Sequence, residues 1–192
     1  MKHLVIYSHP NPRSFCHAIL ETVVDTLGRK SNELVVRDLY ALEFDPVLKA
    51  DDLVALRSGK TPADIKVEQD YIAWAEMMTI IHPVWWTGLP AMIKGYIDRV
   101  FSHGFAYRRN ENGLLKLLTG KKVIVFNTQG AVEEVYKRSG MFLAMSKTSD
   151  AGIYEFCGMT VVNHLFFSAV PLVDEFIRKD YLEKVRDVMK TC

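Results

Sequence analysis

Apolar residues along the chain fall into two alternating kinds of pattern. Short, near-continuous and often β-branched runs occur at His3–Ser8, Leu34–Leu39, Met77–Val84, Lys122–Thr128 and Thr160–Ala169. Their length and composition predict five strands buried on both faces. Between them the period becomes helical: Phe15, Ile19, Val23 and Leu27 recur every four residues and form one apolar stripe that stops near Gly28. Further helices are predicted over Val67–Ala75, Pro90–Phe101, Ser149–Phe156 and Asp174–Met189. Pro90 suits a first turn, where its missing N–H would have no partner anyway. Strands alternating with helices imply a parallel sheet covered on both faces, because each crossover helix buries one of them. The expectation is an α/β, doubly wound five-stranded sheet forming a single domain over residues 1–192. The stretch from Ala41 to Ile65, holding Pro46, Gly59 and Pro62, reads as a surface excursion with short helical turns, and there is no internal repeat.

Composition narrows the class. At 192 residues, 49% hydrophobic, the chain can bury a substantial core. Lys and Arg number 24 against 23 Asp and Glu, a net charge of +1, so no global field recruits nucleic acid or an anionic membrane. An aromatic share of 11% and ordinary Gly and Pro usage argue against disorder. Cys16, Cys157 and Cys192 form no CxxC pair and no disulfide framework, which fits a reducing compartment. The N-terminus runs directly into Leu4-Val5-Ile6, and no apolar run reaches the ~18 residues of a membrane span; a cytoplasmic protein is expected. Histidines at 3, 9, 17, 82, 103 and 164 lack metal-ligand spacing, so no metal is assigned. Neither a GxSxG elbow nor a Cys/His signature supports hydrolase chemistry. From Phe105 to Lys122 the cations Arg108, Arg109, Lys116, Lys121 and Lys122 face only Glu111, which reads as a solvated face.

In a doubly wound sheet, ligands bind beyond the carboxyl ends of the strands, where the winding reverses. Three predicted loops lie there. Ser8-His9-Pro10-Asn11-Pro12-Arg13-Ser14 lacks the glycines of the dinucleotide and Walker phosphate motifs. It still opens a helix, whose free N–H groups and positive dipole end offer one phosphate a seat beside Ser14, with His9 and Arg13 as cations; alternatively Asn11 or Ser14 merely caps the helix. Pro83-Val84-Trp85-Trp86-Thr87-Gly88 places two large flat rings at the end of a central strand. They serve either as core or interface anchors or as walls for a flat ligand, with backbone N–H groups of Val84–Thr87 available to a heterocycle. Asn127-Thr128-Gln129-Gly130 offers short polar groups and a glycine for close approach, as an ordinary strand-to-loop turn also does.

Taken together, these loops resemble the flavodoxin-like NAD(P)H:quinone oxidoreductases, the DT-diaphorase family. Most of the chain takes part. His9 with Ser14-Phe15-Cys16 is similar to the family's phosphate loop, with Cys16 where some members carry Asn. Asp38-Leu39-Tyr40 followed by Phe44-Asp45-Pro46-Val47-Leu48 is similar to the segment after its second strand. The most specific match runs unbroken from Pro83 through Trp85-Trp86-Thr87-Gly88-Leu89-Pro90 to Asp98-Arg99-Val100-Phe101, then Gly104-Phe105-Ala106-Tyr107; Phe156-Cys157-Gly158-Met159 also fits.

The resemblance implies the flavodoxin-like strand order 2-1-3-4-5 and a bound flavin. The flavin phosphate would lie on the His9–Ala18 segment (His9, Ser14, Phe15, Cys16, Ala18), and its ring on Pro83, Val84, Trp85, Trp86 and Thr87 and on Asn127, Thr128, Gln129 and Gly130. It implies transfer of a hydride from NADPH or NADH to the flavin and then to a quinone-like two-electron acceptor, the two substrates taking turns in one pocket walled by Trp86. It also implies a homodimer, with Tyr107 covering the partner's flavin. The chain departs from the family in carrying Arg109 where a second tyrosine stands, which points to an anionic substrate or the NADPH phosphate. The tyrosine that would stabilise reduced flavin corresponds to Tyr136 if the loop is one residue longer, and no histidine aligns as a proton donor. FMN is expected rather than FAD, because the chain lacks an extension to hold an adenosine. A flavodoxin-type electron carrier and a flavin-binding ancillary subunit of a potassium-efflux system are the alternatives; the charge of +1 disfavours the first.

Overall fold

The computed structural model describes residues 1–29, 33–111 and 113–192. Five parallel strands, β1 (Lys2–Tyr7), β2 (Glu33–Asp38), β3 (Met77–Pro83), β6 (Lys122–Thr128) and β7 (Thr160–Phe167), form a sheet in the order β2-β1-β3-β6-β7. With the hairpin strands set aside, this is the expected 2-1-3-4-5 order. Along β1 the alternation is visible residue by residue. Leu4 and Ile6 point into a core shared with α3 (Ala63–Trp74) and α4 (Ala91–Val100), and Val5 and Tyr7 into one shared with α1 (Phe15–Gly28) and α7 (Glu175–Lys190). β3, with neighbours on both edges and helices on both faces, is buried at all seven positions; β7, at the edge, exposes Thr160, Val162 and Asn163.

Three features depart from the expectation. The basic stretch after α4 is not only a solvated face: β4 (Tyr107–Asn110) and β5 (Gly113–Lys116) form an antiparallel hairpin. Four-residue strands carrying consecutive arginines show no apolar alternation, so the hairpin left no period to read. The short helices α5 (Glu133–Ser139) and α6 (Met141–Ser146) were likewise unforeseen, and α6 runs on into a π-helical segment, Lys147–Glu155. α3 begins at Ala63, earlier than its apolar pattern shows, directly after Pro62.

The excursion after β2 carries α2 (Ala50–Arg57) and is fastened to α4. Arg99, 5% exposed, donates from Nε to Asp52 (2.9 Å) and from Nη1 to Asp64 (2.8 Å) and the Asp45 carbonyl (2.8 Å). At Gly95 the chain passes so close that an added Cβ would lie 2.0 Å from the Pro46 carbonyl oxygen. This clasp backs the helix that follows the tryptophan loop, and so fixes where that loop ends.

Candidate active site

The carboxyl ends of the strands bring the three loops into one place. Backbone hydrogen bonds join them in series: Ser8 N–H to the Ile81 carbonyl (3.0 Å), Val84 N–H to that of Thr128 (2.8 Å), and Gln129 N–H to that of Phe167 (2.9 Å). Side chains complete the seam. The His9 and Trp85 rings meet edge to face at 6.1 Å, and Cys16 Sγ lies 3.1 Å from Thr128 Oγ1.

In the first loop, Ser14 caps α1 by accepting the His17 amide at 3.2 Å, and Asn11 Oδ1 accepts the Arg13 amide at 2.9 Å. The capping role and an anion seat are compatible, since one side-chain oxygen satisfies one amide and the other amides of a first turn stay free. His9 Nδ1 accepts the Asn11 amide at 3.0 Å, so that nitrogen carries no proton; burial also lowers the His9 pKa below its ordinary value. His9 is therefore a neutral Nε2–H donor and not the cation expected from its type. Arg13 is the exposed cation. Beneath them Ser8 Oγ is buried without a hydrogen-bond partner at the end of β1. An orphan hydroxyl, a neutral imidazole N–H, a guanidinium and a helix N-terminus suit a phosphate.

The second loop is a tight turn: Trp85 and Gly88 exchange backbone hydrogen bonds at 3.3 and 3.1 Å, and Trp86 and Thr87 between them have φ of 51° and 55°. Side chains in this left-handed region cost ~1–3 kcal/mol each. The turn thus carries strain in order to hold Trp86 wholly exposed (100%) and Trp85 at 43%. A core anchor would be buried, so the exposure of Trp86 leaves a wall for a ligand or an anchor at an interface.

The third loop turns its side chains inward. Thr128 meets Cys16, and Gln129 Nε2 donates to Ser168 Oγ at 3.0 Å. Asn127 Nδ2 donates to the His82 carbonyl (3.1 Å), and its Oδ1 accepts from His164 Nε2 (2.7 Å). Only their backbone and the exposed Gly130 remain to face a ligand. Phe15 and Cys16 likewise point inward, Phe15 onto Phe167 and Tyr181, leaving their amides at the helix end. His82, Val84, Gly88, Leu89, Asn127 and Thr148 line a cavity of ≈ 20 Å³ behind the tryptophan turn, room for about one water.

Over residues 1–189 the chain matches a family described by its flavodoxin-like fold. The protein belongs to this flavodoxin-like family. It is similar to an uncharacterized NAD(P)H oxidoreductase of Haemophilus influenzae, 36% identical over 184 residues covering 95% of this chain and 91% of that one. It is also similar to NAD(P)H dehydrogenase [quinone] 1 of Cavia porcellus, 30% identical across 83% of this chain and 65% of the relative. A solved structure from Klebsiella pneumoniae, provisionally described as a quinone reductase, superposes with a TM-score of 0.92 at 28% identity, covering 100% of this chain and 84% of that one.

In this flavodoxin-like chain the two expected tyrosines part company. Tyr136, on α5 just past the third loop, is half-buried with its ring edge on Phe142 (5.6 Å). Tyr107 begins β4, its ring against His103 and Phe156. α4 leaves the tryptophan loop and runs back along the sheet for ten residues, about 15 Å. Tyr107 therefore sits towards the amino end of the strands, away from the three loops. Among the described residues no group of three or more His, Cys, Asp or Glu could hold a metal, and no helix is long and apolar enough to cross a membrane.

Three residues at the back of the site were not expected there: His82 and His164, weighed only as metal ligands, and Asp150. Their only signal is polarity at buried positions, and spacings of 14 and more residues carry no recognisable period.

Proposed function

We propose that this protein is an NAD(P)H-dependent flavin oxidoreductase that reduces quinones or similar two-electron acceptors. The observation that carries the reading is the Trp85–Gly88 turn: a strained backbone holds one indole fully in solvent at the strand ends, beside a helix N-terminus fitted for phosphate. An exposed flat apolar wall next to an anion seat suits a planar ring that carries a phosphate chain. The relatives' names point the same way.

In this reading the amides at the start of α1, with Ser8, His9, Arg13 and Ser14, hold the phosphate. Backbone groups of Pro83–Thr87 and Asn127–Gly130 orient the ring edge. Trp85 and Trp86 wall the face where nicotinamide and acceptor alternate, and exclude water there. A flavin supplies the two-electron exchange between them when bound. A single phosphate seat favours FMN over FAD. Tyr107 reaches the ring only from a second subunit, so the working unit is a homodimer, and Tyr136 is the candidate for proton handling within the subunit. Arg109 faces an anionic substrate group from the hairpin.

The test is an anaerobic visible spectrum of the purified protein, loaded with FMN, before and after NADH or NADPH. A yellow protein that bleaches within the mixing time and recovers its colour on adding a quinone supports the reading. Flavin that stays oxidised turns it towards a carrier or regulatory protein, and failure to take up FMN or FAD overturns it.

A further inference from the structure

A buried chain of hydrogen bonds runs from the π-helical segment to the tryptophan turn, and its direction can be read from its fixed ends. The His82 carbonyl oxygen accepts only, so the Asn127 atom facing it at 3.1 Å is Nδ2, and Oδ1 faces His164. His164 Nε2, 2.7 Å from that oxygen, must then carry a proton. Its Nδ1 lies 2.8 and 3.0 Å from the two oxygens of Asp150, which also takes Ser149 Oγ at 2.8 Å. Nδ1 thus faces a carboxylate and Nε2 an amide oxygen, so the ring lies between an acceptor at each nitrogen. Beyond Asn127, Nδ2 lies 3.1 Å from His82 Nε2 and 3.3 Å from its Nδ1, over the ring, while Nδ1 donates to the Pro83 carbonyl at 2.8 Å. From His164 the donors thus run one way, to Asn127 and on towards Pro83, and its other nitrogen donates the opposite way, to Asp150.

We propose that the Asp150–His164 pair is the positioning element of the active-site loop: through Asn127 it holds the His82 ring and backbone, and with them the Pro83 peptide, and its imidazolium supports the negative charge that two electrons bring to the ring site. This deepens the flavin reading given above and rests on it. His82, Asn127 and Ser149 line the cavity directly behind Val84 and Gly88, so the chain ends where the proposed ring edge would lie. The pair itself is shielded: the side chains of His164 and Asp150 are 7% and 15% exposed, and Phe166 stacks on the His164 ring at 4.1 Å. A shielded charge acts at longer range than a surface one. The other charged groups around His164 are Glu133 and Lys137 on α5 and Lys184 on α7, lining the open groove beside it; His82 stands on β3.

The experiment has two arms. Ring-nitrogen NMR of 15N-histidine-labelled protein without flavin, at pH 7.5, is expected to show both His164 nitrogens protonated and His82 protonated at Nδ1 alone. A singly protonated His164 overturns the proposal whatever the protein binds. In the FMN-loaded protein, Asp150→Asn is expected to lower the flavin midpoint potential while the dissociation constant of oxidised FMN changes less than about threefold; Asp150→Glu should restore much of the potential. An unchanged potential in Asp150→Asn also overturns it. Should Asp150→Asn not fold, His164→Gln replaces it with the same expectation. Failure to bind flavin defeats the functional reading and the electrostatic half of this one together, and the NMR arm registers that case separately.

Discussion

Trp86 concentrates the argument at the scale of one residue. Its φ of 51° costs stability, and its ring, 100% exposed, recovers none of that cost by packing. Replacing it with glycine should therefore stabilise the fold by about 1 kcal/mol, raising Tm by about 2–4 °C. The same change removes the aromatic wall, and kcat/KM for quinone should fall roughly 3- to 10-fold. Differential scanning calorimetry with steady-state kinetics checks both; a variant improved in each would show that the ring does no work. The chemical unusualness of the loop was legible in the sequence, because two adjacent tryptophans end a β-branched run. Which tryptophan faces solvent was not, since that depends on a two-residue turn set by Gly88 and by the partner strand. Nor could residue type reveal that Asn127, Thr128 and Gln129 spend their side chains inward: each is bonded across 37 or more positions of chain.

At the scale of elements, the helix carrying the tryptophan loop is located by Arg99. Its partner Asp52 is 7% exposed, and burial alone would disfavour that carboxylate; hydrogen bonds from Arg99 more than compensate and hold its pKa below the ordinary range. Arg99→Met leaves this charge without a counter-ion and should cost about 3–5 kcal/mol in urea unfolding, whereas Arg99→Met with Asp52→Asn should cost clearly less. Equal losses would mean that the clasp works by packing, through the Phe44 ring and the Gly95–Pro46 approach. The strong helices α1, α4 and α7 were legible because an apolar stripe faces the sheet. α2 lay hidden inside a segment read only as an excursion: it buries the charged Asp52 and exposes Leu53 and Val54, so its contacts invert the usual pattern. Elements held by ion pairs leave little periodic trace.

At the scale of the whole molecule, two histidines fully inside the sheet tie stability to pH. Burial lowers both His3 and His82 to about 4 from 6.5. Between those values the unfolded chain binds protons that the folded chain refuses, so stability falls as pH drops from about 6.5 to about 4. The slope should be about 1.4 kcal/mol per pH unit for each histidine, and none above pH 7 from this source. Urea titrations at pH 7.5, 6 and 5 measure it. His3→Gln, which can keep a hydrogen bond to Thr79, should remove about half the slope, and an unchanged slope would assign the effect elsewhere.

In the proposed homodimer the return of α4 along the sheet would divide the site between subunits, since the loops that would seat the cofactor stand at one end and the hairpin with Tyr107 towards the other. Two kinds of damaged subunit should then rescue each other. A chain disabled at the cofactor loops, such as Ser14→Ala with Arg13→Glu, and one disabled at Tyr107→Ala should each be poor alone. After mixing, unfolding and refolding at equal amounts, half the pairs are mixed, and each mixed pair contains one undamaged site. Activity should climb to about a quarter of that of the unaltered protein, whereas additive loss without rescue would place Tyr107 outside the shared site.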